Sequence, residues 1–436
     1  MIILLSPHIT RRIEYVSHIV FKQLLQLPYQ IQTLATYLPQ EMDYVLSYGV
    51  KSMAQSLEIP NSGLLFEKGI CEYEINLLEE DLPYLFYQSS KTNQALPFDL
   101  FSAVFYLLSE YDKYLFTEVD AHGRYQLNAY ISNKLPLDQR PLVHLYVEKL
   151  RAAISSRWPE FVFPQSHSYD YEITIDIDHP WKYLHKGAHI FWGGILKDLL
   201  GGKWRDCQAR LLSLKSGKDP NDTFGMIYEL CPAEKTRFFF LLARNSRYDN
   251  RFSAGNKYYR ALIREIQAKG YTVGIHPSYT SFMDRSRIEY ETALLREITG
   301  QAVNTSRQHF LKYRLPHSFR YLEEVGIRDE YTLCNFEQGG FPTGMARPYL
   351  WYDLEQERIS SLRLHPTISM DWSLKQYMGL SPEAAIDRCK HWIESCQAVG
   401  GIFTFLIHHD ALSEAGEWKG WRSAMLEILK EMRQGN

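Results

Sequence analysis

The segment Asp170–His179 reads DYEITIDIDH, an apolar strand pattern that runs into two carboxylates and an imidazole. Side chains alternate along a strand, so Asp176 and Asp178 share one face. Two carboxylates that close raise each other's pKa unless a cation lies between them. A divalent metal would resolve that conflict. Carboxylate with imidazole suits zinc first, with nickel, cobalt and iron as alternatives. A metal-activated water would then attack a carbonyl while a free carboxylate takes its proton. The plainer reading is that the Asp-x-Asp pair caps a helix and that a lone histidine is structural.

Other apolar runs stop in the same way. Polar groups follow at Gly274-Ile-His276-Pro-Ser278, at Met370-Asp371 and at Leu406-Ile-His408-His409-Asp410. Groups at the C-terminal ends of parallel strands converge on one mouth in a β/α barrel.

The elements that must position these groups alternate. Ile173–Ile177, Arg237–Ala243, Thr272–Ile275, Ile368–Met370 and Gly401–Ile407 read as strands. Tyr258–Lys269, Glu289–Thr299, Phe319–Val325, Pro382–Cys396 and Trp418–Met432 read as helices, several stopped by glycine. This rhythm predicts an α/β fold with a parallel sheet or barrel. Before it, Ile2–Leu5, Tyr44–Tyr48 and Ile75–Leu77 read as strands. Arg12–Leu25, Phe98–Tyr114 and Leu142–Trp158 read as helices. The texture changes at PEFVFPQSHSYD, which places a boundary near residues 159–168. The expected division is a smaller α/β domain over 1–160 and a larger one over 161–436.

The chain has 436 residues, 45% apolar and 23% charged, and a net charge of −3. That length favours two cores, and the mixture excludes a disordered or coiled-coil chain. No Lys/Arg run has the density of a nucleic-acid or membrane patch, and Lys203–Arg210 reads as a solvated face. Its six cysteines form no CxxC, which argues against a disulfide framework or zinc ribbon. The arginines at the start follow the short apolar run, the reverse of a secretion signal. No apolar run reaches the roughly 18 residues of a membrane span. A cytoplasmic protein is expected. The oligomeric state and any protein partner are not legible.

The motifs carry a resemblance. Residues 170–430 resemble the NodB-type polysaccharide deacetylases, carbohydrate esterases built on a distorted (β/α)7 barrel. The whole chain resembles a bacterial subgroup in which that barrel follows an N-terminal domain of unknown function. PFDLFSAVFYLLSEYDKYL (97–115) and DAHGRY (120–125) carry the N-terminal match. TIDID at 174–178 matches the first deacetylase motif. The resemblance implies Asp176 as general base and Asp178 and His276 as metal ligands. It implies Arg307 as the arginine that holds the base and Asp371 as the group that orients a catalytic histidine. His409 is the implied general acid, with His408 one residue off and facing away. The implied activity is removal of acetyl groups from an N-acetylated sugar or glycan precursor by a metal-dependent hydrolase.

One departure matters. The family's second motif has two histidines four residues apart, and here the second place holds Thr280. His179 or His309 would have to supply a third ligand. The alternative is a metal-free, non-catalytic glycan-binding or assembly protein on a decayed barrel. Trp181, Tyr279 and Trp372 lie near the polar strand ends, where they either stack on sugar or pack as core.

Overall fold

The structure is a computed structural model. It describes residues 1–434 apart from 41–42, 51–55, 74, 89–93, 117, 127–133, 244–245, 250–251 and 253. The chain divides into two compact units, one of Met1–Asp170, Gly340–Pro366 and Glu394–Ile402, the other of Tyr171–Gly339, Thr367–Ile393 and Phe403–Asn436.

In the first unit, β1 (Ile2–Ser6), β2 (Tyr29–Thr33), β3 (Tyr44–Tyr48) and β4 (Leu57–Ile59) form a parallel sheet in the order β2-β1-β3-β4. All five residues of β1 are buried, the run of a strand covered on both faces. Its helices are α1 (Arg11–Ser17), α2 (Leu100–Leu108), α3 (Asp112–Leu115) and α4 (Leu142–Arg157). α1 does not run on as an α-helix to Leu25; it widens into a π-helix over His18–Leu24. The helix expected over Phe98–Tyr114 breaks between α2 and α3, where Glu110 takes a left-handed φ of 51°. Ile75–Leu77 forms no strand; beside it, Leu78 makes an isolated bridge to Tyr84.

The second unit holds β5 (Asp170–Ile177), α5 (Ala188–Leu200), α6 (Trp204–Ser216), α7 (Phe224–Leu230), β6 (Thr236–Phe240), α8 (Lys257–Ala268), β7 (Thr272–Ile275) and α9 (Arg285–Thr299). β8 (Thr305–Ser306), α10 (His317–Glu324) and β9 (Asp329–Glu330) follow. An antiparallel hairpin of the first unit comes next in the chain, β10 (Tyr349–Asp353) with β11 (Arg358–Leu364). The last elements are β12 (Ser369–Met370), α11 (Pro382–Ala398), β13 (Ile402–His408) and α12 (Arg422–Gln434).

The strands of the second unit run in the order β9-β8-β7-β6-β5-β13-β12. β5 to β9 pair in parallel, as do β12 and β13. Ile173, Ile175, Phe238, Phe239, Phe240 and Phe405 are buried along the central strands. Gly274 is required in β7: a Cβ there would come within 2.5 Å of Thr305 Oγ1 and 2.7 Å of the Phe239 ring. Close packing brings the ends of β5, β7 and β8 together.

Candidate metal centre

β5 ends at Ile177, and Asp178 is the first residue past it. Asp176 is buried, and Asp178 keeps one edge open to solvent. His276 follows β7 directly and donates its backbone N–H to Phe240 O at 3.0 Å. Its ring Nδ1 lies 2.5 Å from the carbonyl oxygen of Arg307. A carbonyl only accepts, so Nδ1 carries a hydrogen, and Nε2 is the nitrogen turned to the cluster and able to ligate a cation. Nε2 sits 3.3 Å from Asp178 Oδ1 and 3.7 Å from Asp176 Oδ2.

His309 comes from the turn after β8, where Phe310 and Leu311 take left-handed φ values of 61° and 55°. Such strain persists only where surroundings enforce it. The turn places His309 Nε2 3.5 Å from Asp178 Oδ2 and Nδ1 3.5 Å from Asp249 Oδ1. Asp249 is itself fixed by the N–H of Tyr279 at 2.8 Å.

One donor atom from each of Asp178, His276 and His309 lies within 4.8 Å of the others. These fit a divalent cation. Ligands about 2.0–2.1 Å from a tetrahedral ion stand roughly 3.3–3.4 Å apart, and His276 Nε2 and Asp178 Oδ1 are already at 3.3 Å. Asp178 Oδ1 is buried and accepts no hydrogen bond, a cost that a cation would remove. His276 has the kind of outer partner a metal histidine uses, a carbonyl, and His309 Nδ1 faces the Asp249 carboxylate at 3.5 Å.

The charges agree. Burial alone would raise the Asp178 carboxyl, but His309 and His276 hold it well below the usual carboxylate range. Burial opposes charge on His309, yet Asp178 and Asp249 push it up to about 9. A cation at this place would displace that proton.

Two further groups flank the cluster, each held by a buried partner. Arg307 donates through Nη1 to Asp176 Oδ1 at 3.0 Å and to Thr174 Oγ1 at 2.8 Å. Its other nitrogens reach Tyr331 O and Thr367 Oγ1, both at 3.0 Å. On the other side, His408 Nδ1 stands 2.9 Å from Asp371 Oδ1, and the His408 N–H donates to Asp371 Oδ2 at 2.6 Å. Nε2 of the same ring is 3.8 Å from Asp178 Oδ2. Burial disfavours charge on His408, but Asp371, Asp178 and Asp176 carry its pKa well above the ordinary value.

The histidine on Asp371 is therefore His408 and not His409. β13 remains a strand through His408, which keeps that ring beside Asp371, and the chain then turns into a 3₁₀ segment over His409–Leu412. The turn carries His409 onto Phe224, stacked at 5.3 Å. Of the two residues weighed as third ligand, His309 is in the cluster. His179 is exposed and lines a cleft with Lys182, Asn221, Asp410 and Trp418. Thr280 is exposed and accepts from Arg287 at 3.0 Å. Trp181 is buried against His185 and Phe252. Tyr279 packs on Tyr248 and Phe310, with Lys312 Nζ 3.6 Å above its ring. Trp372 is half-buried beside Trp418. Asp249 escaped the sequence reading because it lies in a loop away from every recognised strand end.

A family model described as a family of unknown function, DUF7033, matches residues 2–159. No curated protein matches the chain. Among solved structures, the chain is 17% identical to a candidate polysaccharide deacetylase from Mycobacterium smegmatis, over 62% of this chain and 86% of that one, with a TM-score of 0.39. It is 12% identical to a polysaccharide deacetylase from Bacillus cereus, over 60% and 87%, with a TM-score of 0.30. It is 10% identical to a CE4 family pseudoenzyme from Bacillus anthracis, over 61% of each chain, with a TM-score of 0.31. All three likenesses are distant.

Proposed function

We propose that the second unit is a metal-dependent hydrolase that removes acetyl groups from an N-acetylated sugar or glycan. One observation carries the reading: Asp176 and His408 flank the Asp178–His276–His309 cluster, one clamped by Arg307 and the other by Asp371. The seven-strand order, with an isolated bridge between Cys334 and Thr367, is read as the distorted (β/α)7 barrel that the motifs imply.

Asp178, His276 and His309 would hold the cation, with zinc the first choice for one carboxylate and two imidazoles. Bound there, it supplies Lewis-acid polarisation of an acyl oxygen and acidification of water. Arg307 occupies Asp176 Oδ1 and leaves Oδ2 to accept a proton from the attacking water. The water oxygen bonds to the acyl carbon, the carbon–nitrogen bond breaks, and His408 donates its Nε2 proton to the leaving sugar nitrogen. The carboxylates around His408 keep it protonated for that step, and Asp371 fixes its orientation.

The test has two readouts. Protein purified without chelator or a histidine tag is expected to carry one equivalent of zinc or a similar ion by elemental mass spectrometry, lost in Asp178→Asn and His276→Ala. Acetate release from N-acetylglucosamine oligomers is expected in wild type and not in Asp176→Asn. Metal without hydrolysis, across a broad panel of acetylated sugars and amides, would sink the catalytic reading and leave a glycan-binding protein.

A further inference from the structure

The connection from β5 to β6 carries a helical hairpin turned the wrong way round for a globular protein. α5 places Trp192, Leu196, Leu199 and Leu200 at helical spacing on one face, and all four are exposed. α6 does the same with Trp204 and Leu212. Leu200 is 81% exposed, Trp204 65% and Trp192 57%. An amphipathic helix normally turns such a stripe to the core. Here the polar groups face inward instead: Arg210 pairs with Asp198 at 2.9 Å and lies over Tyr183. Gly194 admits that guanidinium, which a Cβ would meet at 2.6 Å.

The charge on this hairpin differs from that of the chain. Residues 188–216 hold five Lys/Arg and two Asp, a surplus of three positive charges on a protein of net charge −3. Lys197, Lys203 and Arg205 are exposed beside Leu199, Leu200 and Trp204 at the tip. No basic run shows in the sequence, because the helix pairing creates the patch. Exposed tryptophan and leucine with a basic rim fit the boundary between lipid headgroups and acyl chains. Each helix has 13 residues, about 20 Å of length, too short to cross a bilayer of about 30 Å but suited to lie on one. Among the described residues, no helix is long and apolar enough to cross a membrane.

The base of the hairpin is tied to the strand ends that carry the cluster. Asp219 accepts the backbone N–H groups of Lys182, Tyr183 and Leu184 at 2.8–2.9 Å. Thr223 donates to the carbonyl of His409 at 2.7 Å, next to His408. α5 begins ten residues after Asp178.

We propose that the α5–α6 hairpin docks on an anionic lipid surface and so presents the cluster to a glycan held at that surface. The docking stands on the hairpin alone; the glycan half rests on the hydrolase reading above. The test is flotation of the full chain with phosphatidylcholine vesicles, with and without phosphatidylglycerol. Wild type is expected to float with the anionic vesicles and to release with added salt. Leu200→Asp and Trp204→Asp are expected to weaken partitioning about tenfold or more, each removing one large apolar contact. Lys203→Glu should weaken it and lower its salt dependence. Unchanged metal content in all three variants would show that the fold is intact. No flotation of wild type, or flotation unaffected by all three changes, overturns the proposal. Self-association abolished by Leu200→Asp, without vesicle binding, overturns it in favour of a second copy of the chain. Acetate release from soluble oligomers without flotation also overturns it; flotation without acetate release supports docking and overturns the hydrolase reading alone.

Discussion

His408 stands between two carboxylates, with Nδ1 2.9 Å from Asp371 Oδ1 and Nε2 3.8 Å from Asp178 Oδ2. Asp371 is buried and also accepts the N–H groups of His408 and Trp372. The pair fixes which nitrogen faces Asp371 and which faces the cluster. If His408 donates the proton to the leaving nitrogen, His408→Gln lowers kcat for acetate release by about 10²–10⁴-fold. Metal content should stay at the wild-type level, since the ring lies outside the ligand set. His409→Gln, beside it in the chain, should leave kcat near wild type. Equal losses in both variants would remove His408 from the role.

The third ligand gives a second prediction. His309→Ala is expected to abolish tight metal binding, measured by zinc titration, because the remaining Asp178 and His276 make a weak site. Asp249→Asn should weaken binding by about 10–100-fold, the usual cost of losing an outer partner. Thr280→His places a histidine four residues after His276, the spacing in the second motif of the deacetylases that the sequence resembles. Thr280 is exposed and bonded to Arg287, so the new histidine should not rescue His309→Ala. Rescue would mean that the loop after His276 can fold onto the cluster.

Arg307 and Asp176 form a buried ion pair, and both side chains are almost fully covered. Removing only the arginine strands a buried carboxylate. Arg307→Met is therefore expected to cost about 3–5 kcal/mol in denaturant unfolding. The double variant with Asp176→Asn should lose clearly less, because the stranded charge is gone. A double variant no more stable than Arg307→Met would show that the other bonds of Arg307, to Thr174, Tyr331 and Thr367, set the cost.

These residues were legible in the sequence to different degrees, for physical reasons. Asp176, Asp178 and His276 stand out because each interrupts or closes an apolar run, which a buried strand does not do without cause. The phase at His408-His409 was not legible, since it depends on one residue of strand length before the turn. β8 and β9 have two residues each, too few to set a period, so His309 appeared only as a neighbour of Arg307. Asp249 has no periodic setting at all. The outward face of α5 and α6 was not legible, because apolar residues at helical spacing imply burial and here that stripe faces solvent.

The last prediction concerns pH and a group outside the ligand set. Glu291 on α9 is fully buried and accepts both the N–H and the hydroxyl of Ser278, two residues past His276. Burial raises its carboxyl to about 7, against the two bonds from Ser278. The unfolded chain releases that proton near 4.5, so between 4.5 and 7 the folded state holds more protons than the unfolded one. Stability from this group is full below pH 4.5 and falls as pH rises through 7, by roughly 3 kcal/mol. Glu291→Gln keeps an acceptor for the Ser278 N–H, can turn its NH2 to the Ser278 oxygen, and cannot ionise. The difference in unfolding free energy, wild type minus variant, should therefore decline between pH 4.5 and 7.5 and then level off. A difference that stays flat over that range would mean the carboxyl is ionised throughout, with Ser278 compensating its burial.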